Sequence, residues 1–283
     1  MNLNVAAISI PVDALIHDPE DVVLGTIAQI QKEGPSDAFL FPEYMWAALA
    51  HEIRDEESGF KETSKILWQE VIPNLLRKLP DKGLFILGSG PYFDERSQRL
   101  SNRAPIIING QLVVQEKLFL TPWEQQFHAG QSIAVHSYDG IRFAVPICLD
   151  VEIPELAGAL HPYNLDVLFV PSATETMSGW ERINRCASAR SVELGVGVVV
   201  SHLRGGLPET VDLVSENIGG TACYLPSQSI FQPERERQGP VDAQGLSWQR
   251  YSIPIDQIRQ AKEMDETNPA TVKRPEPKIV VTS

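Results

Sequence analysis

The stretch AVPICLDVEIPE, Ala144 to Glu155, is an apolar run with the character of a buried strand. It ends on Cys148, with Asp150, Glu152 and Glu155 close behind. A cysteine closing such a run is either a small buried hydrophobe or a nucleophile held at the rim of a sheet. The stretch alone leaves both readings open. A thiol with a pKa of about 8.5 is only slightly ionised at neutral pH, so a nucleophile needs a base and a donor for the oxyanion it creates. Both would have to come from elsewhere in the chain.

Two other segments share the pattern. FLFPEYMW ends a strand and then presents Glu43; VVQEKLFLTPWE ends a strand at Lys117 and presents Glu124 seven residues on. In all three an apolar strand delivers a reactive group at its C-terminal end, where sheets covered by helices place their ligand sites. Taken singly, each has an ordinary explanation. Glu43 reads as a solvated loop acid, Lys117 as an exposed strand end, Cys148 as core, and Glu124 as an acid on a short helix starting near Pro122. Taken together, a glutamate base and a lysine supply what a cysteine nucleophile lacks, without any histidine.

The rest of the chain sets the frame. NVAAISI near the N-terminus, Ala38–Phe41, GLFILGSG, DVLFVPS and GVGVVVS read as buried strands. Asp18-Pro19-Glu20 opens a helix to about Lys32, with Asp18 as cap and acids at the positive end of the dipole. Further helices are predicted over Thr63–Lys78, from about Ile153, over Trp180–Leu194 with Ser178 and Glu181 as a capping box, and over Asp256–Met264. Asn109-Gly110 and Asp139-Gly140 stand between apolar runs and predict hairpins. Two or three strands are expected between Ile218 and Ile253. Strands alternating with helices but broken by hairpins exclude a purely parallel array and predict an α/β protein with mixed sheets and outer helices. One domain over residues 1–264 is expected, followed by a Pro-rich tail, 265–283.

Composition excludes several functions. A formal net charge of -13 over 283 residues argues against nucleic acid and against anionic lipid as partners. Three scattered cysteines without a CxxC pair give no disulfide framework, zinc ribbon or redox motif. Nothing reaches the length of a membrane span and the N-terminus lacks a secretory pattern, so the expected location is the cytoplasm. No phosphate loop, dinucleotide loop or metal signature appears, and no cofactor is expected. The context of Cys148 fits neither a papain-like protease, which needs a histidine partner, nor a triad amidotransferase, which wants glycine beside the cysteine.

The order Glu43, Lys117, Cys148, in FPEY, KLFLTPWE and ICLDVEIPE, resembles the nitrilase superfamily of carbon–nitrogen hydrolases. The resemblance extends from the first strand to about Arg259, and PSATETMSGWERINRCASARSVE is similar to its amidase-like branch. It implies a four-layer α-β-β-α sandwich with two mixed sheets, assembled as a homodimer or higher homo-oligomer. It implies Glu43 as general base, Lys117 as stabiliser of the tetrahedral intermediate, Cys148 as nucleophile and Glu124 as support for Lys117. The implied activity is hydrolysis of a small-molecule amide or N-carbamoyl bond, more than a nitrile, through a Cys thioester. Two alternatives keep the fold: an inactive binding or scaffold protein, and an ammonia-releasing partner of a separate synthetase. Tyr44, Trp123, Leu149, Ser172 and Thr174 are candidates to line the substrate pocket. Asp150 and Glu152 are expected to cap the following helix. The sequence departs from the family pattern at Leu149, where relatives carry an aromatic residue, at Glu152 in place of an arginine, and at Gln115 in place of a tyrosine. The apolar end of the tail, Ile279-Val280-Val281, is expected to contribute to a subunit contact.

Overall fold

Two runs of parallel strands, each extended by antiparallel partners, form the two sheets of the computed structural model, which describes residues 1–53, 55–207, 214–231, 236–241 and 245–272. The first sheet is built from β1 (Asn2–Ser9), β2 (Ala38–Leu40), β3 (Leu84–Ile86), β4 (Gly90–Asp94), β5 (Arg99–Ile108) and β6 (Gln111–Glu116), joined at its far edge by the late strand Ser247–Pro254. The second holds β7 (His136–Tyr138), β8 (Ile141–Ala144), β9 (Val167–Ser172), β10 (Gly197–His202), β11 (Thr221–Tyr224) and β12 (Glu236–Gln238); the late strand is thus β13. β1, β2 and β3 run parallel, as do β8, β9 and β10. Among the described residues the other pairings of these strands are antiparallel.

Alternation along the strands makes the layers. Ala6, Ile8, Phe39, Phe85 and Ile107 point to one side, where they meet Val23, Ile27 and Ile30 of α1 (Pro19–Glu33), Phe60 of α2 (Glu56–Ile66) and Ile72 and Leu75 of α3 (Ile72–Lys78). Their neighbours Val5, Ala7, Leu40, Leu84 and Ile106 point the other way, into the core shared with the second sheet. α4 (Pro154–Leu160) and α5 (Met177–Leu194) close the outer side, and α6 (Ile255–Ala261) follows β13. The architecture is the four-layer α-β-β-α sandwich with two mixed sheets.

Both predicted hairpins form. Asn109 and Gly110 lie at φ 47° and 77° and join β5 to β6; Asp139 and Gly140 adopt the same angles between β7 and β8. Two positive φ values in succession are what a two-residue turn matched to strand twist requires.

Several local expectations need correction. The helix predicted from Thr63 begins at Glu56, because Asp55 accepts a hydrogen bond from the Ser58 amide and caps it; a wider π turn over Leu67–Val71 then separates α2 from α3. Asp18 precedes α1 but lies at φ 47° and makes no capping bond. Thr176, and not Ser178, caps α5, its hydroxyl accepting from Gly179 N–H at 3.1 Å. The strand expected to end on Cys148 ends at Ala144, since Pro146 has no N–H to continue a ladder. Residues 265–272 fold back onto the body, where Asn268 is buried and donates to the Ala261 carbonyl at 3.0 Å. Ile279, Val280 and Val281 lie outside the described residues. Among the described residues no helix is long and apolar enough to cross a membrane.

Candidate active site

Four strand ends converge. Phe41-Pro42 carries the chain from β2 to Glu43, and Lys117 follows β6 directly. Cys148 starts a 3-10 turn (Cys148–Glu152) after β8, and Ala173 follows β9. The first two come from one sheet and the last two from the other, so the site lies where the sheets meet.

Lys117 is at the centre. Its Nζ donates to Glu43 Oε1 at 2.8 Å and to both carboxylate oxygens of Glu124 at 2.9 Å, and all three side chains are about 1% exposed. Glu43 also accepts from Asn102 Nδ2 at 2.9 Å and from the Ala173 amide at 3.0 Å. Glu124 is returned to the lysine by a turn; no helix starts at Pro122. Its carboxylate accepts from the Thr121 amide at 2.7 Å and from the Tyr44 hydroxyl at 2.5 Å.

The two carboxylates are driven apart in acidity. Burial raises Glu43, and the nearby charge of Glu124 adds to this, against the opposing pull of Lys117. Glu124 is buried too, but Lys117, Tyr44 and Thr121 together hold it below the ordinary value. Two carboxylates separated in this way suit different roles. Burial would neutralise Lys117, yet the two carboxylates outweigh it and keep the ammonium protonated. Burial and the charge of Glu43 raise the Cys148 thiol, so in the resting site it carries its proton.

Cys148 is held in an unusual backbone state, at φ 47°. For a residue with a Cβ this costs on the order of 1–2 kcal/mol and persists only where neighbours enforce it. Asp150 enforces it. Its carboxylate accepts from the Ile147 amide at 2.9 Å, within the turn, and from Leu118 and Phe119 amides at 3.1 and 2.8 Å, just after Lys117. One buried side chain therefore ties the Cys turn to the Lys segment. From the other side Arg190 of α5 donates to the Val151 and Glu152 carbonyls at 3.0 and 3.1 Å and closes the end of the turn. The thiol itself donates to the Ala173 carbonyl at 3.5 Å and accepts from Ser172 Oγ at 3.3 Å.

These groups floor a cavity of about 280 Å³. Glu43, Lys117, Glu124 and Cys148 all reach it, as do Tyr44, Trp123, Leu149 and Thr174 among the expected lining residues. Ser172 does not line it: the alternation of β9 turns its side chain behind the thiol, where it is fully buried. Trp123 stands at the mouth, 71% exposed. The wall also contains Glu152, Glu175, Thr176, Arg182 and Asn217, none of which carried a strand-end signal in the sequence. Asp150 caps its own turn, whereas Glu152 pairs with Arg182 at 2.5 Å and faces the cavity. Among the described residues no histidine lines the cavity. His202 is buried behind Thr174 and Asn184, and burial lowers it to about 3, so it serves the fold as a neutral ring.

No family model matches the chain. In sequence it is 28% identical over 245 residues to the probable hydrolase YhcX of Bacillus subtilis (strain 168), covering 81% of this chain. It spans about half, 48%, of that relative's length. In structure it is similar to Nit3 of Saccharomyces cerevisiae, a member of branch 10 of the nitrilase superfamily, with a TM-score of 0.67 and 18% identity over 94% of this chain and 96% of that one. The fold is that of the nitrilase superfamily. A variant of the amidase from Nesterenkonia sp. AN1, in which acrylamide has added at the active site cysteine, matches with a TM-score of 0.62 and 18% identity over 91% and 95%.

Within the nitrilase fold, the positions where this chain departs from the family pattern have local consequences. Gln115 fastens the loop after Lys117, donating to the Ser132 carbonyl and accepting from the Ala134 amide, both at 2.9 Å. Leu149 and Glu152 put an aliphatic and an acidic side chain on the cavity wall. Asp150→Ala is expected to leave three amides without their acceptor and to lower stability by about 3 kcal/mol or more. Chemical denaturation measures this.

Proposed function

We propose that the chain is a carbon–nitrogen hydrolase that cleaves a small amide or N-carbamoyl compound through a thioester on Cys148. The observation that carries this reading is the buried Glu43–Lys117–Glu124 cluster set against a cysteine at the floor of one cavity. The likeness to a probable hydrolase and to an amidase with an active site cysteine supports it.

The charge balance dictates the proton path. Glu43, Lys117 and Glu124 together carry one net negative charge. A thiolate added to these would be a second buried charge, so it forms as its proton moves to Glu43, which burial has already made a better base than an ordinary glutamate. The thiolate attacks the carbonyl carbon. The developing oxyanion meets the Lys117 ammonium and the Leu149 N–H, which lies in the first turn after Cys148, where helical N–H groups have no intrahelical acceptor. Protonated Glu43 gives its proton to the departing ammonia or amine. Water then attacks the thioester, with Glu43 again the base, and Cys148 leaves protonated. Glu124 holds the ammonium by two bonds, so its charge is aimed before the reaction begins.

Ammonia release across primary amides, ω-amidated dicarboxylates, carbamoyl amines and nitriles tests the activity. At least one amide or carbamoyl compound should be turned over, and Cys148→Ser should abolish this without a change in melting temperature. Activity surviving in the Ser variant would overturn the nucleophile assignment.

Because Glu43 must be ionised to act, kcat/KM falls as pH drops through its pKa. The acid limb should therefore lie above the ordinary value of 4.5. A profile flat down to pH 4.5 would count against Glu43 as the base.

Glu124→Gln should lower kcat/KM at least about tenfold, or roughly 1.4 kcal/mol. It should also shift the acid limb downward, since the negative charge of Glu124 helps to raise Glu43. Wild-type kinetics in this variant would remove Glu124 from the machinery.

A further inference from the structure

Asn217 lines the same cavity as Cys148, is 5% exposed, and has no hydrogen-bond partner for either Nδ2 or Oδ1 among the described residues. Buried side-chain amides are bonded in the large majority of cases, and one left open at both ends carries a desolvation penalty that a ligand can relieve. The backbone that carries this side chain is held in place. The Asn217 carbonyl accepts from the Gly205 amide at 3.1 Å. The next residue, Ile218, donates its amide to the Thr174 carbonyl at 2.8 Å and accepts from Thr174 Oγ1 at 2.9 Å. Thr174 follows Ala173, whose amide holds Glu43 and whose carbonyl accepts from the thiol. Asn217 thus hangs from the frame that positions the nucleophile.

We propose that Asn217 is a specificity-determining residue whose carboxamide binds a neutral substrate group carrying both a donor and an acceptor, such as a second amide or a hydroxyl. This rests on the carbon–nitrogen hydrolase reading and adds the substrate class to it. An amide side chain open at both ends is complementary to a group of that kind. An apolar tail would leave both of its atoms unbonded. Among the described residues a charged tail would find no open buried counter-charge: Lys117 is held by two glutamates, Glu152 is paired with Arg182, which is itself exposed, and Glu175 is exposed. The cavity, at about 280 Å³, limits the substrate to a small molecule. Sites built to bond a polar group reject analogues lacking it far more strongly than apolar pockets reject a methylene.

The test compares malonamide, butyramide and 3-aminopropanamide as substrates of the wild-type protein, Asn217→Leu and Asn217→Ala. Wild type should prefer malonamide over butyramide by about tenfold or more in kcat/KM, and the ratio should fall at least about tenfold in both variants, chiefly through KM. A structural role would depress both substrates alike and leave the ratio unchanged, which would overturn the proposal. So would a wild-type preference for 3-aminopropanamide. Calorimetric binding of malonamide to the Cys148→Ser protein, with and without Asn217→Leu, separates this proposal from the hydrolase reading. Weaker binding by about tenfold on loss of Asn217 supports it even where no amide is turned over. Binding indifferent to Asn217, or absent, overturns it. Asn217→Ala, which introduces no bulk, is decisive if the Leu variant does not fold.

Discussion

A single buried ammonium organises this protein. Lys117 is almost wholly removed from water, and its charge is tolerable only because two carboxylates are brought to within 2.9 Å of it. The dependence runs both ways. Glu43 and Glu124 are each about 1% exposed and would repel one another without the lysine between them. Breaking a buried set of this kind by removing one member costs about 3–5 kcal/mol, because an uncompensated charge stays behind. Buried ion groups are weak devices for stability. Here the result is a fixed field at the floor of a cavity, beside the Cys148 thiol.

Holding that field requires both sheets. Glu43 and Lys117 leave one sheet and Cys148 and Ala173 leave the other, so the Ala173 amide bond to Glu43, at 3.0 Å, ties the two sheets together at the cavity. The inner faces of the sheets meet through aliphatic side chains such as Val5, Leu40 and Ile106. Close packing there does not adjust continuously, and it sets the register of the four strand ends.

Cys148 is placed by polar ties more than by its strand. The ladder stops at Ala144, and the left-handed backbone at Cys148 is kept by Asp150 and Arg190. Asp150 reaches across to the amides after Lys117, so the Cys turn and the Lys segment move as one piece. Tyr44, beside Glu43, also lies at positive φ, at 55°. Backbone strain thus gathers at two of the segments that meet in the site.

Features carried by short-range pattern were legible in the sequence alone. Asn109-Gly110 and Asp139-Gly140 make the hairpins because only a few residues accept two positive φ values in a row. Apolar runs ending in Glu43, Lys117 and near Cys148 marked the segments that converge, because a buried strand announces itself by composition and its end by the first polar group. Other features depended on single residues outside the apolar pattern or on partners distant in the chain. The start of α2 was set by an Asp55 cap that stands outside the apolar pattern, and the end of β8 by Pro146. Arg190 closes the Cys turn from 38 residues away, and Asn102 supports Glu43 from 59. Ser172, expected on the cavity wall, turned behind the thiol, and Asn217, which no pattern had marked, came to line the wall. Which side chain faces a cavity is decided by how layers stack, and a one-dimensional pattern records only that a residue is buried, not what it is buried against.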